Sequence, residues 1–170
     1  MRAGVVSLLA LAALCAAAAS RGATVPFCTG GALSATFKAV PGSAGAGNIV
    51  YKLVVANRSS ATCAVTGLPK VKLYGRSGKA LPTKVIPAFR GGLTAVLVRL
   101  TPGGSGHATA RFSPDVPGKG EPVAGKRCEP VATSLHVTAS GGGVTKAAIK
   151  PATSVCEHGQ MQFTAYGPGA

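Results

Sequence analysis

The sequence predicts an all-β fold, an antiparallel sandwich of about eight or nine short strands. Three observations predict it. Apolar and polar residues alternate with period two over runs of five to nine residues. Twenty-four Gly and twelve Pro punctuate those runs. Apolar spacing of the i, i+3, i+4 kind is absent beyond the first twenty residues.

The strands follow in order. Residues 33–40 open the series and end at Pro41-Gly42. In residues 49–57, Tyr51, Leu53 and Val55 share one face while Lys52 takes the other. Residues 70–74 put Val71 and Leu73 inward and Lys70 and Lys72 outward, before a hairpin turn at 75–79 and the short run Ala80-Leu81. Residues 93–100 and 107–112 flank the turn Thr101-Pro102-Gly103-Gly104. Residues 113–121 read as a surface loop, and 134–139, 144–149 and 161–166 complete the set. With one buried face per sheet, the alternating polar residues face water.

At 170 residues the chain is one domain's worth. Met1-Arg2, an apolar run over 5–19 and the small residues Ala18-Ala19-Ser20 have the layout of a secretory signal peptide. The expected division is a signal peptide at 1–20, a tail at 21–27 and one β-sandwich domain at 28–170, exported to the extracellular space or cell wall, with no membrane span left after cleavage. Leu14 before Cys15 argues against lipidation there. Cleavage leaves Cys28, Cys63, Cys128 and Cys156, an even number without metal-type C-x-x-C spacing, which reads as two disulfides. Cys28 and Cys156 each stand five residues before a strand, one first and one last in the chain. In immunoglobulin-like sandwiches such strands lie side by side and parallel, so the expected pairs are Cys28–Cys156 and Cys63–Cys128.

The run from Tyr51 through Asn57, Arg58-Ser59-Ser60 and Cys63 to Gly67-Leu68-Pro69 resembles a motif of an exported bacterial family, domain of unknown function 4232. So do residues 100–110, with their Pro102-Gly103-Gly104 turn, the run Cys128-Glu129-Pro130 and the closing Cys156. The resemblance covers residues 28–167. It implies an exported immunoglobulin-like β-sandwich without an assigned activity, and so no functional residues to carry over.

Eighteen Lys plus Arg against four Asp plus Glu give a formal charge of +14. So few carboxylates exclude EF-hands and two-carboxylate glycosidases. Gly103-Gly104-Ser105-Gly106-His107 approaches a nucleophile elbow, but His107 replaces the last Gly and no helix follows. Gly75-Arg76-Ser77-Gly78-Lys79-Ala80 imitates the end of a P-loop with Ala80 in place of Ser or Thr. Both read as turns, and no catalytic residue, metal ligand or cofactor is assigned. A secreted hydrolase using His107 or His158 is the alternative.

The charge is the informative feature. Lys38, Lys52, Lys70, Lys72, Lys126, Arg127, Lys146 and Lys150 are the candidate polyanion-binding residues, on outward strand positions or in loops. The partners expected are anionic cell-wall polymer or lipid head groups. Nucleic acid is not expected, since export and the lack of interleaved aromatic platforms argue against it. The expectation is an exported, non-enzymatic cell-envelope module.

Overall fold

A computed structural model describes residues 24–89, 96–123 and 127–169. The expected signal peptide, residues 93–95 of one expected strand and the candidate Lys126 lie outside the described residues. Among the described residues eleven strands form: β1 (Leu33–Ala39), β2 (Ile49–Asn57), β3 (Cys63–Val65), β4 (Lys70–Gly75), β5 (Lys84–Pro87), β6 (Val98–Leu100), β7 (Ser105–Phe112), β8 (Ala132–Thr138), β9 (Val144–Thr153), β10 (Gln160–Phe163) and β11 (Gly167–Pro168). A 3-10 turn at Gly30–Ala32 leads into β1. Among the described residues no helix is long and apolar enough to cross a membrane.

The expectation of an all-β, disulfide-stapled chain holds, but the arrangement differs from a plain antiparallel sandwich. Nine strands belong to one mixed sheet in the order β4-β8-β9-β1-β2-β7-β10-β5, with β11 on β7, while β3 and β6 make a separate pair. Two contacts are parallel, β1 with β9 and β5 with β10. The sheet curls so that its two ends approach. The Leu81 N–H donates to the Leu73 carbonyl at 2.9 Å, and the Leu73 N–H donates to Thr83 Oγ1 at 3.0 Å. The segment entering β5 therefore covers part of the edge of β4, giving a nearly closed, barrel-like wall with less bare edge to recruit other chains.

Period-two alternation decides what fills that wall. Phe37, Tyr51, Leu53, Leu135, Met161 and Phe163 point inward and are fully buried. Without Trp, the core relies on aromatic contacts of Phe37 with Tyr51 (centroids 5.0 Å apart) and of Tyr51 with Phe112 (5.2 Å). The Tyr51 hydroxyl donates to the Pro151 carbonyl at 2.7 Å. Burial pushes its pKa above the ordinary phenol value, so it stays a donor.

Asn57 joins the two sequence motifs singled out above. Its side chain is fully buried. The amide donates to the Ala61 carbonyl at 2.8 Å and to the Leu100 carbonyl at 2.9 Å. Its Oδ1 accepts from the Ser59 N–H at 2.9 Å and the Ser59 hydroxyl at 2.7 Å. The backbone adds Asn57 N–H to Gly104 O and Gly103 N–H to Asn57 O, both at 2.9 Å. One side chain thus holds the 58–62 turn against the end of β6 and delivers Cys63 to its partner.

That partner is Cys28. The disulfides are Cys28–Cys63 and Cys128–Cys156, which corrects the expected Cys28–Cys156 and Cys63–Cys128 pairs. The expectation needed the last strand beside β1, but the parallel neighbour of β1 is β9. The residues before β1 run alongside β3 instead: the Cys28 N–H donates to Ala64 O and the Ala64 N–H to Pro26 O, both at 2.9 Å. Part of the expected 21–27 tail is thereby paired, through Phe27 with Ala64. At the other bridge, the Ser154 hydroxyl donates to Glu129 O at 2.8 Å and aligns the Cys128 and Cys156 segments. The bridges span 35 and 28 residues, and each stabilises by about 3–4 kcal/mol in the chain-entropy account.

Replacing Asn57 with Ala leaves the buried Leu100 carbonyl and the part-buried Ser59 N–H without their partner. The expected cost is about 2–4 kcal/mol, read as a lowered urea midpoint at unchanged slope. A loss below about 0.5 kcal/mol, the usual range for a surface change, contradicts the role given to this side chain.

Candidate functional site

The outer side of five consecutive strands, β4-β8-β9-β1-β2, collects most of the candidate residues. On β1, Phe37 is buried and Lys38 is exposed. The register sets Lys38 opposite Lys52 of β2 and opposite Lys150 of β9. Lys150, Lys38 and Lys52 therefore form one row across three adjacent strands, at the usual inter-strand spacing of about 4.8 Å. A second row crosses β9, β8 and β4: Lys146 is opposite His136, and His136 is opposite Lys72. Lys146 and Lys150 lie four residues apart on β9 with the same outward parity, about 13 Å along the strand. Lys70 begins β4 on that side, opposite Thr138.

Like charges directly opposite each other destabilise a sheet by a few tenths of a kcal/mol per pair. Here nothing in the sheet offsets them. None of the eleven strands contains an Asp or Glu. Among the described residues, no Lys or Arg lies within ion-pair distance of a carboxylate; both short carboxylate contacts involve His158.

The sheet also assembles something the linear sequence concealed. The Tyr74 ring stacks on the His136 ring with centroids 3.9 Å apart and planes at 25°. Burial holds the His136 pKa below the ordinary imidazole value, and the charge of Lys146 lowers it further. Outward parity shared with Lys70 and Lys72 was the available sign for Tyr74. Its meeting with His136 depends on the β4–β8 register. Arg127 is apart from this face. It helps line an open cavity of about 850 Å³ with Arg76, Lys79, Leu81 and Val131.

Three carboxylates, Glu121, Glu129 and Glu157, gather elsewhere, around the Cys128–Cys156 bridge. The expected surface loop 113–121 is irregular, yet Glu121 at its end is buried. Its Oε2 accepts from the Gly118 N–H at 2.6 Å and the Glu157 N–H at 2.9 Å, and its Oε1 accepts from the His158 N–H. These bonds hold Glu157, His158 and Gly159 in left-handed backbone, with φ of 56°, 57° and 75°. For the two non-glycine residues that conformation costs about 1–2 kcal/mol each. At Gly159 a Cβ would run into the Pro82 carbonyl as well, so glycine is required there. Burial disfavours the charged form of Glu121, but the three backbone donors outweigh it and leave the pKa below the ordinary value. Burial, and then the neighbouring Glu121, push Glu129 upward.

The hydrolase candidates fall in different places. His107 lies on β7, its Nδ1 2.9 Å from the Gly169 carbonyl. His158 Nε2 is 3.0 Å from the Lys119 carbonyl, and its Nδ1 is 3.7 Å from both Glu121 and Glu129. Among the described residues, neither ring is hydrogen-bonded to a serine hydroxyl. Glu121, Glu129 and His158 bring possible ligand atoms within 4.8 Å of one another. Glu121 accepts three backbone bonds, so the role this structure shows for it is that of a loop tie.

A family model described as Domain of unknown function (DUF4232) matches residues 28–167. No curated protein and no solved structure matches the chain.

The carboxylate group gives a prediction with opposite signs at two positions. Glu121 has a depressed folded pKa, so its contribution is present above the ordinary carboxylate range and is lost as pH falls through the folded value. Glu129 has a raised folded pKa, so its contribution is present at low pH and lost as pH rises. Glu121→Gln should cost about 1–2 kcal/mol near neutral pH and progressively less towards about pH 3. Glu129→Gln should be neutral or stabilising near neutral pH. Urea unfolding of both variants across this range checks the signs, and an E121Q cost that does not change with pH contradicts them.

Proposed function

This chain belongs to the DUF4232 family, described only as a domain of unknown function, and on that premise we propose that it is an exported, non-enzymatic cell-envelope module. Its ligand is an anionic surface polymer, held against the outer face of β4-β8-β9-β1-β2. One observation carries the proposal: the Lys150–Lys38–Lys52 row stands on three adjacent strands in a sheet without a single acidic residue. Self-repulsion in such a row weakens the free fold slightly and is relieved when an external chain of anions lies along it. A linear polymer fits better than a point ligand, because the two rows are spread along and across the strands.

Export belongs to the same proposal. It is supported by the signal-like segment at 1–20 and by two disulfides, which persist in oxidising compartments. The immunoglobulin-like reading of the fold is also part of it, supported by the parallel contact of the first strand β1 with the late strand β9.

Retention on purified anionic cell-wall material tests the proposal. Binding should weaken steeply as salt rises from about 50 to about 500 mM, because fixed charges separated by solvent are screened over that range. The triple variant K38Q/K52Q/K150Q should lose about tenfold or more in affinity at the low-salt end, by the same charge-neutralisation logic that governs other polyanions. Binding that is constant across the salt series, or unaffected by the triple substitution, contradicts the proposal.

A further inference from the structure

We infer that this face takes up a proton as it captures its anionic polymer, and that His136 is the group that receives it. The inference rests on the polyanion reading above and makes it more specific. The ligand is a chain of closely spaced strong-acid groups, of the phosphodiester or polyphosphate kind, and its affinity is set partly by pH.

The geometry is that of an interrupted row. His136 is the cross-strand partner of Lys72 on one side and of Lys146 on the other. It is therefore the middle member of three positions that an extended anion would touch together. From β4 it is faced by Lys72 and Tyr74, from β9 by Lys146, and along β8 its same-face neighbours are Ser134 and Thr138. None of these is acidic, so no carboxylate on this face draws the imidazole towards its charged form. Partial burial and the Lys146 charge hold the ring neutral to a lower pH than usual. In that state the row has two cations with a neutral gap between them.

An anionic chain lying across the row changes each term. It offsets the charges of Lys72 and Lys146, and it offers the imidazole an acceptor of opposite sign. The stacked Tyr74 ring presents its π-face to the ring that becomes cationic, an arrangement that favours the charged form. The proton comes from solvent, and no other bond is made or broken. By linkage, if the polymer raises the His136 pKa, then protonation of His136 raises the affinity for the polymer by the same factor.

The test uses the whole chain with linear inorganic polyphosphate as the probe, at fixed low salt and at about pH 7.5 and about pH 5.5, which bracket the ordinary imidazole range. The wild-type protein should bind about threefold to tenfold more tightly at the lower pH, as expected for one added charge in the row. His136→Gln, whatever its affinity, should show little difference between the two pH values. K38Q should weaken binding at both values and keep the pH dependence. Proton NMR of the three histidines gives a readout that does not depend on a variant's stability: the midpoint of the signal missing from H136Q should rise when polyphosphate is added to wild type. Wild-type binding that is independent of pH, pH dependence that survives in H136Q, or an unmoved His136 midpoint overturns the inference and leaves the polymer reading intact. An absence of binding at both pH values overturns both.

Discussion

Phe37 on β1 lies opposite Leu53 of β2 and Ile149 of β9, and the burial of all three fixes the register on which the outer face depends. Strand side chains alternate, so a buried Phe37 forces Lys38 outward. The same alternation forces out Lys52 beside Leu53 and Lys150 beside Ile149. Slipping any of these strands by one residue would bury a lysine and expose an apolar residue, at a cost of several kcal/mol. The lysine row is thus held in place by the core beneath it. It does not require any attraction among the lysines, which repel one another.

The strands carry charge of one sign only. Nine of the eighteen Lys and Arg stand on them, while the four acidic residues, Asp115, Glu121, Glu129 and Glu157, all lie outside them. The acidic side chains have a local task where they are buried. Glu121 satisfies three backbone donors and stabilises the left-handed turn after the second disulfide. On the outer face there is no comparable internal partner for the lysines. Internal neutralisation at one end and an unneutralised sheet at the other are what distinguish a loop tie from a binding face.

Much of this was legible in the sequence, for a physical reason in each case. Strands β1, β2, β4, β7, β8 and β9 are long enough for period-two alternation to show. The outward lysines follow from parity, and the 51–69 motif carries the family. β3 escaped because its three residues are all buried and show no alternation. β5 escaped because it is four residues long and ends in Pro87. The disulfide pairing failed because equal offsets before two strands say nothing about whether those strands are neighbours; β9 occupies the place given to the last strand. The Tyr74–His136 stack and the Glu121 contacts to Glu157 and His158 join residues far apart in sequence, and only pairing register or loop course brings them together.

The central claim is that the Lys150–Lys38–Lys52 row is an arrangement unfavourable to the free protein and suited to an external polyanion. The most direct test is the thermal midpoint of K38Q against wild type at low ionic strength, measured with and without polyphosphate. Removing the middle charge relieves two like-charge pairs, so free K38Q should melt about one to two degrees above wild type. With polyphosphate the order should reverse, because ligand binding stabilises the tighter-binding wild type more. If K38Q is no more stable than wild type when free, or if polyphosphate leaves the order unchanged, the account of this face is wrong.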